Sequence, residues 1–157
     1  MEIPWKEIFK PDCGMLLEIR VYKTSEHDYQ ALLGMLVSHY NAKYVRDGVE
    51  QSDMPDYRVI DEDNDQISVL VRFFVAGVRI HVWFGDDAQM NLDLLPEDID
   101  SPEKAKGIFQ LMREISGLLD KRVLLTMENA SADQKWSEQH AICSINPGDA
   151  AVTYHGI

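Results

Sequence analysis

Arg72, His81 and Asp93 are the side chains in this sequence whose types could do chemistry together. An imidazole oriented by a carboxylate, with a guanidinium beside it, has the makings of a general base. They meet only if two turns fall in the right places. Ala76-Gly77 suits a two-residue hairpin turn, because glycine tolerates positive φ. That turn pairs Val75 with Val78, Phe73 with Ile80, Val71 with Val82 and Val69 with Phe84, so eight apolar residues share one face. A slip of one residue would mix the faces, so the register supports itself. Beyond Gly85-Asp86-Asp87, a third strand through Met90, Leu92 and Leu94 continues the same face. On the opposite face Arg72, His81 and Asp93 then fall in one cross-strand row, with Leu70, Trp83 and Asn91 in the next. The plainer reading of the first row is a charged ladder on an exposed sheet, worth about a few tenths to 1 kcal/mol per pair. Phe74 and Trp83 share that face. Either another element covers them, most simply the C-terminal strands, or they belong to a binding surface, where aromatics and Arg concentrate.

Other patterns stop short of chemistry. Asp61, Asp63 and Asp65 resemble the opening of a calcium loop, but the sixth and twelfth positions are Gln66 and Arg72 instead of Gly and Glu. A solvated acidic loop is the expectation there. Five histidines (His27, His39, His81, His140 and His155) show no compact ligand spacing. Cys13 and Cys143 form no CxxC pair, and Cys143 reads as a buried thiol in AICSI. No nucleophile elbow, phosphate loop or dinucleotide fingerprint is present. The sequence therefore predicts no metal, no cofactor and no catalytic turnover.

Several elements must position these residues. Leu17, Ile19 and Val21 alternate with Glu18 and Arg20 as in a half-buried strand. Thr24 and Ser25 offer caps for a helix whose apolar face is Tyr29, Leu32, Leu33, Leu36, Val37 and Tyr40, stopping at Asn41. Short strands are expected at 43–46 and 57–60. Ser101-Pro102 opens a second amphipathic helix through Ala105, Ile108, Phe109, Met112, Ile115 and Leu119. A strand at 122–126, a polar loop at 129–139 and strands at 140–145 and 151–154 complete the chain. The order predicts a single α+β domain over 1–157: an antiparallel sheet, with a meander at 67–95, and two amphipathic helices packed on one face.

Fifteen acidic side chains crowd into residues 47–65 and 86–103, with Arg58 the sole basic residue in either stretch. With a net charge of −12, such a chain attracts a basic partner and repels nucleic acid and anionic membrane. The N-terminus MEIPWKEIFKPDCG has no basic segment followed by an apolar run, so it does not read as a secretory signal. No run reaches the roughly 20 apolar residues of a membrane span. A reduced, cytoplasmic protein is the expectation.

The stretch ISGLLDKRVLLTMEN, followed by a loop and AICSINP, resembles the tail of bacterial immunity proteins of polymorphic toxin systems. The matching positions are Val123 to Asn129 and Ala141 to Pro147; the resemblance, from Ile115 to Pro147, spans about a fifth of the chain and includes no catalytic motif. The resemblance implies an inhibitor that occupies a toxin's active face, with a target in the cytoplasm. Nuclease toxins commonly have basic surfaces, which the acidic charge would suit. The partner-binding set expected from these readings is Asp61, Asp63, Asp65, Arg72, Phe74, His81, Trp83, Asp86, Asp87 and Asp93. Three other readings remain open on the sequence: a nucleic-acid mimic that blocks a DNA-binding protein, a small enzyme built on His81, Asp93 and Arg72, and a plain accessory domain whose acidity only aids solubility.

Overall fold

The central hairpin forms in the expected register. In the computed structural model, residues 2–10, 15–84, 88–128 and 133–156 are described. The elements are α1 (Trp5–Ile8), β1 (Leu17–Tyr22), α2 (Glu26–Tyr40), β2 (Lys43–Arg46), β3 (Val49–Glu50), α3 (Tyr57–Asn64), β4 (Val69–Val75), β5 (Val78–Trp83), β6 (Gln89–Leu94), α4 (Pro102–Leu119), β7 (Val123–Met127), α5 (Gln134–Gln139), β8 (Cys143–Ile145) and β9 (Thr153–Tyr154). Phe73 lies opposite Ile80 and Val71 opposite Val82. Ala76 and Gly77 take φ of 50° and 82°, the left-handed pair that a two-residue hairpin turn requires.

The nine strands among the described residues make one antiparallel sheet in the order β3-β2-β4-β5-β6-β1-β7-β8-β9. Strand β1 sits in the middle, with Ile19 between Leu92 of β6 and Leu125 of β7. Helices α2 and α4 pack on one face, which carries the buried residues Val71, Phe73, Ile80, Val82, Leu92, Ile19 and Leu125. The fold is α+β with two long helices on one side, as the pattern of elements predicts. Ser25 closes a capping box with Asp28, and the Ser101 hydroxyl accepts from the Lys104 amide. Gly107 lets α4 approach the hairpin tip: a Cβ there would stand 3.1 Å from Val75 Cγ1.

Two expectations fail. Residues 57–60 are the start of α3 and not a strand. Tyr57 and Ile60 lie one helical turn apart, so a helix buries both where an extended chain would bury one. Tyr57 stacks on Tyr29 at 4.6 Å between ring centroids, and its amide donates to Gln30 Oε1 at 2.8 Å, satisfying one of the free N–H groups at a helix start. The loop expected at 129–139 contains α5, whose first turn is capped by Asp133. The last two strands are shorter than expected, at 143–145 and 153–154.

Because Phe73 is 1% exposed, truncating it should be costly. Phe73→Ala is expected to lose about 3–5 kcal/mol in chemical denaturation. A loss under about 1 kcal/mol would contradict the packing of this face.

Candidate functional site

The sheet face away from α2 and α4 carries the candidate site. Alternation along each strand sends Arg72 and Phe74 of β4, Arg79, His81 and Trp83 of β5, and Asp93 of β6 to this side. The register brings them together: Arg72 lies opposite His81, and His81 opposite Asp93. The row runs further than the sequence indicated. Lys43 of β2 flanks Arg72, Glu18 of β1 flanks Asp93, and Thr126 of β7 flanks Glu18. Six strands thus contribute Lys43, Arg72, His81, Asp93, Glu18 and Thr126 in order. Cations stand at one end and carboxylates at the other.

Arg72 Nε donates to His81 Nε2 at 3.1 Å. That bond makes Nε2 the acceptor and puts the imidazole proton on Nδ1. His81 Nδ1 lies 3.9 Å from Asp93 Oδ1, too long for a direct hydrogen bond. Burial, with the guanidiniums of Arg72 and Arg79, holds the imidazole down at about 4. At neutral pH His81 is therefore uncharged and the His81–Asp93 contact is not an ion pair. Asp93 accepts a hydrogen bond from the Trp83 indole. Burial raises the carboxyls of Asp93 and Glu18 above the usual range, against the pull of the Trp83 bond on Asp93 and of Arg20 on Glu18. The negative charge of Glu128 adds to both shifts. Arg20 is 5% exposed. It pairs with Glu18 and donates from Nε to Thr126 Oγ1 at 2.9 Å.

Phe74 is 55% and Trp83 41% exposed. The C-terminal strands do not cover them. Strands β8 and β9 extend the sheet beyond β7 instead of folding across it, so they lie four or more strands away from β5. What covers part of this face is α5. It packs against β7, and the Tyr22 hydroxyl donates to Ser137 Oγ at 2.6 Å. Leu124, Thr126 and Ser144 are buried on that side, while β4 and β5 keep their aromatics in solvent. Phe74 and Arg79 also line a depression of about 390 Å³ with Leu95, Glu97 and Asp98.

The acidic residues do not form one surface with this row. Asp61 and Asp63 belong to α3 and Asp65 follows it, and α3 packs against α2 on the helix side of the sheet. Asp63 is engaged by the Tyr44 hydroxyl at 2.8 Å and by Arg46 Nε at 3.3 Å. Asp86 and Asp87 lie outside the described residues. Glu97, Asp98 and Asp100 lie toward the hairpin tip, near Phe74 and Gly77. Residues 47–65 lie toward the other end of β4, where the Asp47 amide donates to the Ser68 carbonyl. Sequence reasoning missed Glu18, Arg20, Lys43 and Glu128. The alternation of Glu18 and Arg20 was visible, but not that β1 inserts beside β6.

Among the described residues, no group of three or more His, Cys, Asp or Glu side chains is placed to hold a metal ion, and no helix is long and apolar enough to cross a membrane. The Cys143 thiol is buried and pushed up to about 12. No family model, curated protein or solved structure matches the chain.

The site should have a distinctive titration. The unfolded imidazole takes its proton near 6.5 and the folded one near 4. The folded state therefore binds fewer protons between those values. Stability from His81 is complete above 6.5 and is lost as pH falls toward 4. Glu18 and Asp93 act in the opposite sense: their raised values favour the fold in acid, and that contribution fades as pH rises through them. Nuclear magnetic resonance should place the His81 midpoint near 4, and His81→Gln should flatten the fall in stability across that window. A midpoint near 6.5 would show that the imidazole is solvated.

Proposed function

We propose that this chain is a non-enzymatic binding protein, most specifically a cytoplasmic immunity protein. It would neutralise a cognate toxin by covering the toxin's active or substrate-binding face. The observation that carries the reading is the exposure of Phe74 and Trp83 on the third and fourth strands of a nine-stranded sheet, on either side of the row that holds Arg72, His81 and Asp93. Aromatic anchors surrounded by polar groups are the usual energetic centre of a protein interface. The net charge of −12 supports a basic partner, because it speeds encounter with one and disfavours nucleic acid and anionic lipid. The resemblance of Val123–Asn129 and Ala141–Pro147 to immunity-protein tails points the same way.

The state of His81 favours binding over catalysis. Its Nε2 lone pair already accepts from Arg72, and it protonates only near 4. Such an imidazole is poorly set to remove a proton at neutral pH.

The test is a complex with the product of the adjacent reading frame, expressed and purified. That product is expected to arrest growth alone and to be silenced by this chain. Trp83→Ala should weaken the complex by about 2 kcal/mol or more, with the thermal midpoint little changed. Association should slow steeply as salt rises while dissociation changes less. Neutralising Asp61, Asp63, Asp86 and Asp87 together should lower the on-rate. An on-rate indifferent to salt and to these four changes would leave the charge a solubility feature. A complex indifferent to Trp83→Ala would remove the sheet face from the interface.

A further inference from the structure

The open face is half of a layer. Helix α5 covers the β1–β7–β8 side, where Leu124 and Thr126 are 1% exposed. Over β4, β5 and β6 no described element fills the same layer, and Phe74 and Trp83 stand exposed on it. Three strands about 4.8 Å apart make a strip of about 10 Å between their axes. A helix with its side chains is about 10–12 Å across.

We propose that this strip receives an α-helix of a partner protein, lying beside α5 on the face of β4, β5 and β6. The flank of that helix nearer α5 would be basic and its outer flank acidic. The inference rests on the preceding reading only in taking the partner to be a protein.

Two other occupants fit less well. Leu70–Arg72 of β4, Ile80–Trp83 of β5 and Asn91–Leu94 of β6 are paired on both sides, so an added strand has no hydrogen bonds to make over that part of the face. Among the described strands the edges left to it are short: β3 and β9, each two residues long, and Phe73–Val75 of β4 beyond the reach of β2. A second copy would have to bring its sheet to about 10 Å for the aromatics to meet, and α5, standing on the same face, obstructs that approach. A helix satisfies its own backbone and brings only side chains.

The row sets the charge order. Lys43 and Arg72 lie on the outer side of the strip; on the side toward α5 lie the carboxylates of Asp93, Glu18 and Glu128, which outnumber the one guanidinium there, Arg20, paired with Glu18. Trp83 lies between them, one strand from each pole, and offers the apolar centre. A helix carrying acids on one flank and bases on the other meets both poles in one orientation and opposes both when turned end for end. Such a surface selects direction as well as identity.

The experiment is selection from a display library of helix-constrained peptides on the purified chain, followed by affinity measurement by calorimetry. Enriched peptides should share an apolar stripe with basic residues on one flank and acidic residues on the other. Their affinity should fall at least about tenfold in Phe74→Ala and in Trp83→Ala. Lys43→Glu should weaken them, and changing the peptide's acidic flank to lysine should restore binding to that variant. Enriched peptides without the two charged flanks, or ones that bind Phe74→Ala and Trp83→Ala unchanged, would overturn the proposal. So would a self-associated chain in sedimentation that Trp83→Ala returns to a monomer, because a second copy would then be the occupant. A toxin complex that needs Trp83 while no helical peptide is enriched would sink the helix and leave the preceding reading standing. Directional helical binders with no toxin complex would do the reverse.

Discussion

The register of the β4–β5 hairpin is the constraint on which the rest of the molecule depends. Its two-residue turn at Ala76-Gly77 fixes which residues share a face. Every odd residue from Val69 to Val75 then joins the core, and every even residue from Leu70 to Phe74 goes to the other side. Moving the pairing by one residue would bury Arg72 and His81 under the helices and expose Phe73 and Ile80. Burial of the apolar face therefore also determines the composition of the open one. The polar row exists because the core exists.

The electrostatics of that row do not read as a stabilising device. The carboxyls of Glu18 and Asp93 are partly withdrawn from water beside one another, with Glu128 close by. Arg20 is tied to Glu18 and Thr126 and cannot serve every carboxylate equally. An apolar pair at the same positions would avoid this desolvation. The cost falls on a face whose aromatic residues are also out of place for solubility. Two unfavourable features on one side of one sheet form a pattern that a bound partner would relieve.

Much of the fold was legible in the residues, and for identifiable reasons. The hairpin, its third strand and both long helices rest on local signals: alternation, helical spacing, a turn that needs positive φ, and the caps Ser25 and Ser101. Asp47-Gly48 is a second such turn, with φ of 45° and 79°, and it joins β2 to β3. The failures come from long-range effects. Tyr57-Arg58-Val59-Ile60 reads as a strand by its apolar content, and the contacts that favour a helix there, with Tyr29 and Gln30, come from α2. The exposure of Phe74 and Trp83 depended on where β8 and β9 lie, which pairing order alone decides. For the same reason the triplet Asp61, Asp63 and Asp65 could not be seen to lie on the far side of the sheet from Arg72 and His81. Half of the row was readable, and the half contributed by β2, β1 and β7 was not.

Strand order also sets when the molecule becomes complete. Strands β2 to β6 are close in sequence and can associate while the chain is still being made. Strand β1 can pair with β6 early, but its other edge stays open until β7 is made, since Glu18 pairs with Thr126 more than a hundred residues later. A nascent or truncated chain ending before β7 would hold Lys43, Arg72 and His81 but not the Thr126 and Glu128 end of the row. Helix α5, which forms the wall of the empty half-layer, comes later still. The strip on β4, β5 and β6 is thus made first, and its flank toward β7 and α5 is added last.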